Sequence, residues 1–172
     1  MSDRSVADGV APGPPGDAPG REEFLNTLVG SLAETIENVV GIEDAEAFIG
    51  IVGRRMGQSE TARIPGAGTT DPARVAEHLK AFKANIGGDF VIESVEGSRI
   101  TFTNSKCPFA RQASGRPSLC MMTTNVFGRV AADATGYARV NVEEALARGD
   151  HRCRVTVDLE WDGAGDGKEF YG

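Results

Sequence analysis

The sequence predicts an α+β domain, with N-terminal helices packed on an antiparallel four-stranded sheet in a hairpin–helix–hairpin order. Apolar residues recur at three- and four-residue spacing through the first half of the chain, the mark of amphipathic helices. After Gly87-Gly88 the period changes to alternation, the mark of half-buried strands. Two alternating stretches then flank one further helical run, a pattern that lays helices on one antiparallel sheet.

Residues 1–20 are rich in Pro, Gly, Ala and Asp. They carry too little apolar surface to offset ordering entropy and are expected to form a disordered leader. A first helix is expected over 21–40, with Phe24, Leu25, Leu28, Leu32, Ile36, Val39 and Val40 as one buried stripe and Gly41 as its stop. A second helix over 43–56 turns Ala45, Phe48, Ile49, Val52 and Met56 inward. Residues 57–70 read as a loop, with Pro65, Gly66 and Gly68. The third helix starts at a Thr70 or Asp71 cap with Pro72 in its first turn, buries Val75, Leu79 and Phe82, and ends at Gly87-Gly88.

Phe90, Ile92, Ile100 and Phe102 flank Glu96-Gly97-Ser98, a hairpin signal. Ser118 is placed to cap a fourth helix over 119–134, with Met122, Val126, Phe127 and Val130 packed. Residues 137–142 form the third strand and 143–150 a connector. Cys153, Val155, Val157 and Leu159 then alternate with Arg154, Thr156, Asp158 and Glu160, so the fourth strand has one clean buried face. The folded domain is set at 21–161. Residues 162–172 are expected to be a flexible tail, with Phe170 and Tyr171 as the side chains able to dock.

A chain of 172 residues fits one domain that needs no disulfide staples. The net charge is −7, and Lys and Arg form no stripe, which argues against nucleic acid as a partner. No stretch has the apolar length of a membrane span, and the first 20 residues lack a secretory pattern. Three cysteines, an odd number without a signal, read as reduced and cytoplasmic.

Those cysteines carry most of the chemistry available to the chain. Cys107 precedes Pro108, which holds its backbone extended, and twelve residues separate it from Cys120. Cys120 lies at a helix start, where backbone N–H groups favour a thiolate. Cys153 is in phase with the buried face of its strand. Three thiolates suit a soft metal, with zinc or an iron–sulfur cluster as the candidate cofactor. His151 is the first candidate for a fourth ligand, because i and i+2 in a strand share a face, and Glu93 is the second. A reactive or redox thiol pair and purely structural cysteines are the competing readings.

Other residues have plainer readings. His78 sits at a helix boundary, Asp150 serves a turn, and Asn104 shapes the loop before Cys107. Met121 and Met122 pack, and Glu34, Glu37, Glu43, Asp44 and Glu46 form a solvated acidic face.

Gly87-Gly88-Asp89-Phe90, Asn104 with Cys107-Pro108-Phe109, Ser118-Leu119-Cys120-Met121-Met122-Thr123, Phe127-Gly128, Gly136-Tyr137-Ala138 and Gly149-Asp150 with Cys153-Arg154-Val155 resemble the methanogen output domain family. The resemblance runs from about Phe24 to Leu159. It implies a small domain of the kind found beside signal-transduction modules. That family resembles the 4-vinyl reductase-like hydrocarbon sensors and the C-terminal domains of iron–sulfur-responsive repressors. The repressors share the Cys-Pro-Phe, twelve-residue, Cys spacing but place their further cysteines elsewhere. In the hydrocarbon sensors, thiolates plus an acidic residue resemble a structural zinc site, a resemblance that implies zinc at Cys107, Cys120 and Cys153 with Glu93 or His151.

The leading functional expectation is a cytoplasmic sensory or regulatory domain that binds a metal, cluster or small ligand where the three cysteines meet. Its output is contact with a signalling protein such as a kinase or regulator, with a homodimer through the first two helices. A cysteine hydrolase with Cys120 as nucleophile and His151 as base is the enzyme alternative, supported by a distant likeness to an amino-thiazoline carboxylate hydrolase. A redox thiol switch and a ligand-free interaction domain complete the set.

Overall fold

The computed structural model describes residues 19–61, 71–163 and 165–172. The expected leader therefore lies outside the described residues up to position 18, as does the expected loop over 62–70. Among the described residues there are four α-helices: α1 (Pro19–Val40), α2 (Ile42–Thr61), α3 (Pro72–Asn85) and α4 (Cys120–Thr135). Five strands accompany them: β1 (Phe90–Glu96), β2 (Arg99–Asn104), β3 (Tyr137–Glu144), β4 (Cys153–Asp158) and β5 (Lys168–Tyr171). They form one antiparallel sheet in the order β1-β2-β4-β3-β5.

The sheet thus has five strands, not four, and the fifth comes from the segment expected as a flexible tail. β5 pairs with β3, placing Phe170 opposite Ala138. Phe170 is buried in the main core and takes the space left by the missing side chain of Gly128 on α4.

α3 and α4 cover one face of the sheet. Val75, Leu79 and Phe82 meet Phe127 and Val130 over Phe90, Phe102, Val140 and Val157 in one core. The rings of Phe90, Phe102 and Phe127 pack edge-on or tilted, with centroids 5.1–6.4 Å apart. Asp71 caps α3 by accepting from the Ala73 N–H at 3.1 Å. Ser118 caps nothing: it lies in a 3-10 turn, Pro117–Leu119, and its buried hydroxyl has no partner among the described residues.

α2 lies on α4, and α1 lies on α2. The buried face of α2 is small: Ala45, Gly50, Gly53 and Gly57. A Cβ at Gly57 would come within 2.7 Å of the Arg129 Cβ, so the helix continues through Gly57 to Thr61 and uses it for close approach. Phe48, Val52 and Met56, expected inward, are more than two-fifths exposed. The stripe expected to be buried on α1 is likewise mostly exposed, from Phe24 at 65% to Val39 at 75%. Instead α1 is buried at Gly30 and Ala33.

Candidate functional site

The three cysteines reach one place through strand register. β2 pairs with β4 so that Asn104 stands opposite Cys153. Asn104 Oδ1 accepts from the Asp89 N–H at 3.2 Å and the Lys106 N–H at 2.9 Å, which fixes the turn leading to Cys107. Cys120 opens α4 after the 3-10 turn. Cys153 opens β4, and its Sγ accepts from the Leu146 N–H at 3.5 Å. All three line one cavity of about 30 Å³, together with Phe90, Asn104 and Thr123.

Lys83 of α3 stands beside this pocket. It is only 2% exposed. Its Nζ donates to Thr123 Oγ1 at 2.7 Å and lies 5.3 Å from the ring centres of both Phe90 and Phe127. Burial lowers its pKa to about 8, against an opposing pull from Cys107, Cys153 and Cys120. The sequence reading passed over Lys83, although a signal exists. Positions 75, 79 and 83 fall at i, i+4 and i+8 on one helix face, so the stripe of Val75 and Leu79 carries Lys83 inward.

The helix start does not make Cys120 a thiolate. Burial pushes its pKa up to about 12, with Cys153 and Cys107 adding to the rise. Desolvation outweighs the helix terminus there.

His151 and Glu93 stay apart from the pocket. His151 is exposed in a bend before β4 begins, so it shares no strand face with Cys153, nor does it line the cavity with Cys120. Glu93 is the irregular position of β1, between Ile92 and Ser94 in the register. It is exposed and ion-paired with Arg154 and, at 3.6 Å, with Arg152. Arg154 alternates with the pocket residue Cys153, which puts that cluster on the opposite face of the sheet. Among the described residues no group of three or more His, Cys, Asp or Glu side chains is arranged to hold a metal ion.

A second cavity, of about 530 Å³, opens between the helices. Its wall takes Leu32 and Ile36 from α1, Val52 and Met56 from α2, Phe82 from α3 and Met122 from α4. Part of the apolar surface that α1 and α2 leave unburied therefore faces this space. Asn26 and Lys83 are its polar wall residues. Pro108, Phe109 and Leu119 line both cavities.

The same loop grips α1. Glu37 Oε1 accepts from the Ser118 N–H at 3.2 Å, Arg116 pairs with Glu34, and Gly30 packs on Gln112. Two residues read as a solvated acidic face therefore tie α1 to the loop between Cys107 and Cys120.

Among the described residues, no helix is long and apolar enough to cross a membrane. No curated protein is significantly similar to the chain in sequence. Solved structures share the fold, two of them as follows. One is the phenol-responsive sensory domain of the transcription activator PoxR with phenol, at 16% identity and a TM-score of 0.64, covering 80% of this chain and 76% of that one. Another is a trafficking protein particle complex subunit 3 from Naegleria fowleri covalently bound to palmitic acid, at 12% identity and a TM-score of 0.59, covering 84% and 98%. The family model for methanogen output domain 1 matches residues 28–158, most of the chain, and the protein belongs to that family.

Proposed function

We propose that this domain is a sensory module that takes a small, largely apolar organic ligand into the cavity between its helices. The observation that carries the reading is the 530 Å³ space walled by Leu32, Ile36, Val52, Met56, Phe82 and Met122. Its size and apolar character match those of small-molecule sites. The two structural neighbours support it, one holding phenol and the other palmitic acid. A ligand there touches Pro108, Phe109 and Leu119, on the loop that α1 holds through Glu34 and Glu37. Binding would then bias the seating of α1, and a signalling protein or a second copy of the chain would read that face.

The test is calorimetric titration and thermal unfolding of the reduced protein with phenol and decan-1-ol. Saturable binding with a rise in Tm is expected for at least one of them. Absence of binding by both, with the protein folded, would sink the reading. Zinc, iron and acid-labile sulfide assayed on the same sample address the cysteine-centred reading.

A further inference from the structure

We infer that the ligand is an amphipathic carboxylic acid, its hydrocarbon body in the larger cavity and its carboxylate held by Lys83, Thr123 and Asn104 at the thiol pocket. The inference rests on the cavity reading above and adds the chemical class.

Lys83 is a buried cation, and no carboxylate offsets it among the described residues. Its hydrogen bond is to a neutral hydroxyl and its other close neighbours are aromatic rings and thiols. A buried charge is retained at a cost unless something of opposite sign meets it. The remaining polar lining points the same way. The Asn104 side chain is buried and uses only its Oδ1 in hydrogen bonds, leaving the amide N–H₂ without an acceptor among the described residues. Thr123 Oγ1 accepts from Lys83, so its own hydrogen remains to donate. No carboxylate lines the small pocket. Amide and hydroxyl thus offer donors on the wall of a space of about 30 Å³, enough for one or two water-sized groups, and the Lys83 ammonium, bonded to that hydroxyl and lining the larger cavity, stands beside it. A cation would meet the ammonium instead.

The larger cavity is continuous in its wall with this pocket. Lys83 is on its lining, and Pro108, Phe109 and Leu119 belong to both. A chain lying in the apolar space therefore reaches Lys83, whose ammonium is bonded to Thr123 of the small pocket.

Decanoic acid and decan-1-ol, titrated into the reduced full chain and its Lys83→Met variant at neutral pH, separate the claims. The wild type is expected to bind the acid at least about tenfold more tightly than the alcohol, the worth of a charge-assisted hydrogen bond. Lys83→Met should erase that preference, read as the ratio of the two compounds' affinities for the same variant. If the variant does not fold, Thr123→Val serves, with a reduced preference expected. An acid bound no better than the alcohol, or a preference untouched by these substitutions, would overturn the carboxylate assignment alone. Failure of both compounds to bind the wild type overturns the carboxylate assignment, and the cavity reading falls with it when phenol also fails to bind.

Discussion

Lys83 Nζ donates to Thr123 Oγ1 across 2.7 Å, tying α3 to α4 through a buried ammonium. That charge makes stability depend on pH in a direction opposite to most lysines. Burial brings the folded-state pKa to about 8 from 10.5. Between those values the unfolded chain keeps the proton and the folded chain has lost it, so stability rises with pH. Below about pH 8 both states are protonated and the full penalty applies, roughly 3 kcal/mol. Lys83→Met should therefore unfold at higher urea than the wild type at pH 7, by about 1–3 kcal/mol. The gap should close towards pH 10. Equal or lower stability of the variant at pH 7 would contradict this account.

Cys120 is expected to be slow towards electrophiles, despite opening a helix. With its pKa near 12 against an ordinary value of 9, little thiolate exists at neutral pH, and the thiolate is the nucleophile. Iodoacetamide should modify it roughly a hundredfold or more slowly in the folded protein than in urea, read by peptide mass spectrometry. Preferential labelling of folded Cys120 at pH 7.5 would revive the nucleophile reading. The same group affects stability above pH 9. There the unfolded thiol ionises and the folded one does not, so Cys120 weakens the fold as pH rises from about 9 to 12. This opposes the Lys83 trend, and a Cys120→Ala background isolates the latter.

A Cβ on Gly128 would overlap the Phe170 ring, so the seating of β5 depends on a glycine in the middle of α4. Gly128→Ala should cost about 1–3 kcal/mol as Phe170 is displaced, and amide exchange should rise first in β5. Shrinking the ring with Phe170→Leu in the Gly128→Ala background should recover part of the loss. Independent, additive losses from the two substitutions would show that they do not share this space.

That contact also shows where legibility in the sequence stops. Hydrophobic period locates α3, the first hairpin and β4 because their buried positions are filled by Val, Leu, Ile and Phe. β5 is four residues long and follows a glycine-rich stretch, so its period is too short to register. The packed face of α2 escapes for a different reason. Gly50, Gly53 and Gly57 are buried by what they lack, and a pattern that scores apolar side chains assigns them nothing. The cysteines converge because strand pairing sets Asn104 against Cys153, a relationship with no local trace. Lys83 is hidden because a charged residue in an apolar stripe reads as a surface position until its neighbours are known.

The exposed apolar surface of α1 and α2 has its own consequence. Phe24, Leu25, Leu28, Val39 and Val40 on α1, and Phe48 and Ile51 on α2, are each more than a third exposed. Patches of this kind are rarely left uncovered. Some of the apolar surface of these helices faces the larger cavity, but these seven residues are not on its wall. A dimer across them would place the signal-reading face directly over the helix held by Glu34 and Glu37. Size-exclusion chromatography with light scattering is expected to give a dimer at concentrations well above micromolar. The paired substitution Leu28→Glu and Phe48→Glu should return it to monomer while decanoic acid binding persists, because neither residue lines the cavity. A wild type that stays monomeric throughout would assign the patch to a different partner. A substitution that abolished ligand binding along with dimerisation would mean the two copies complete each other's cavities.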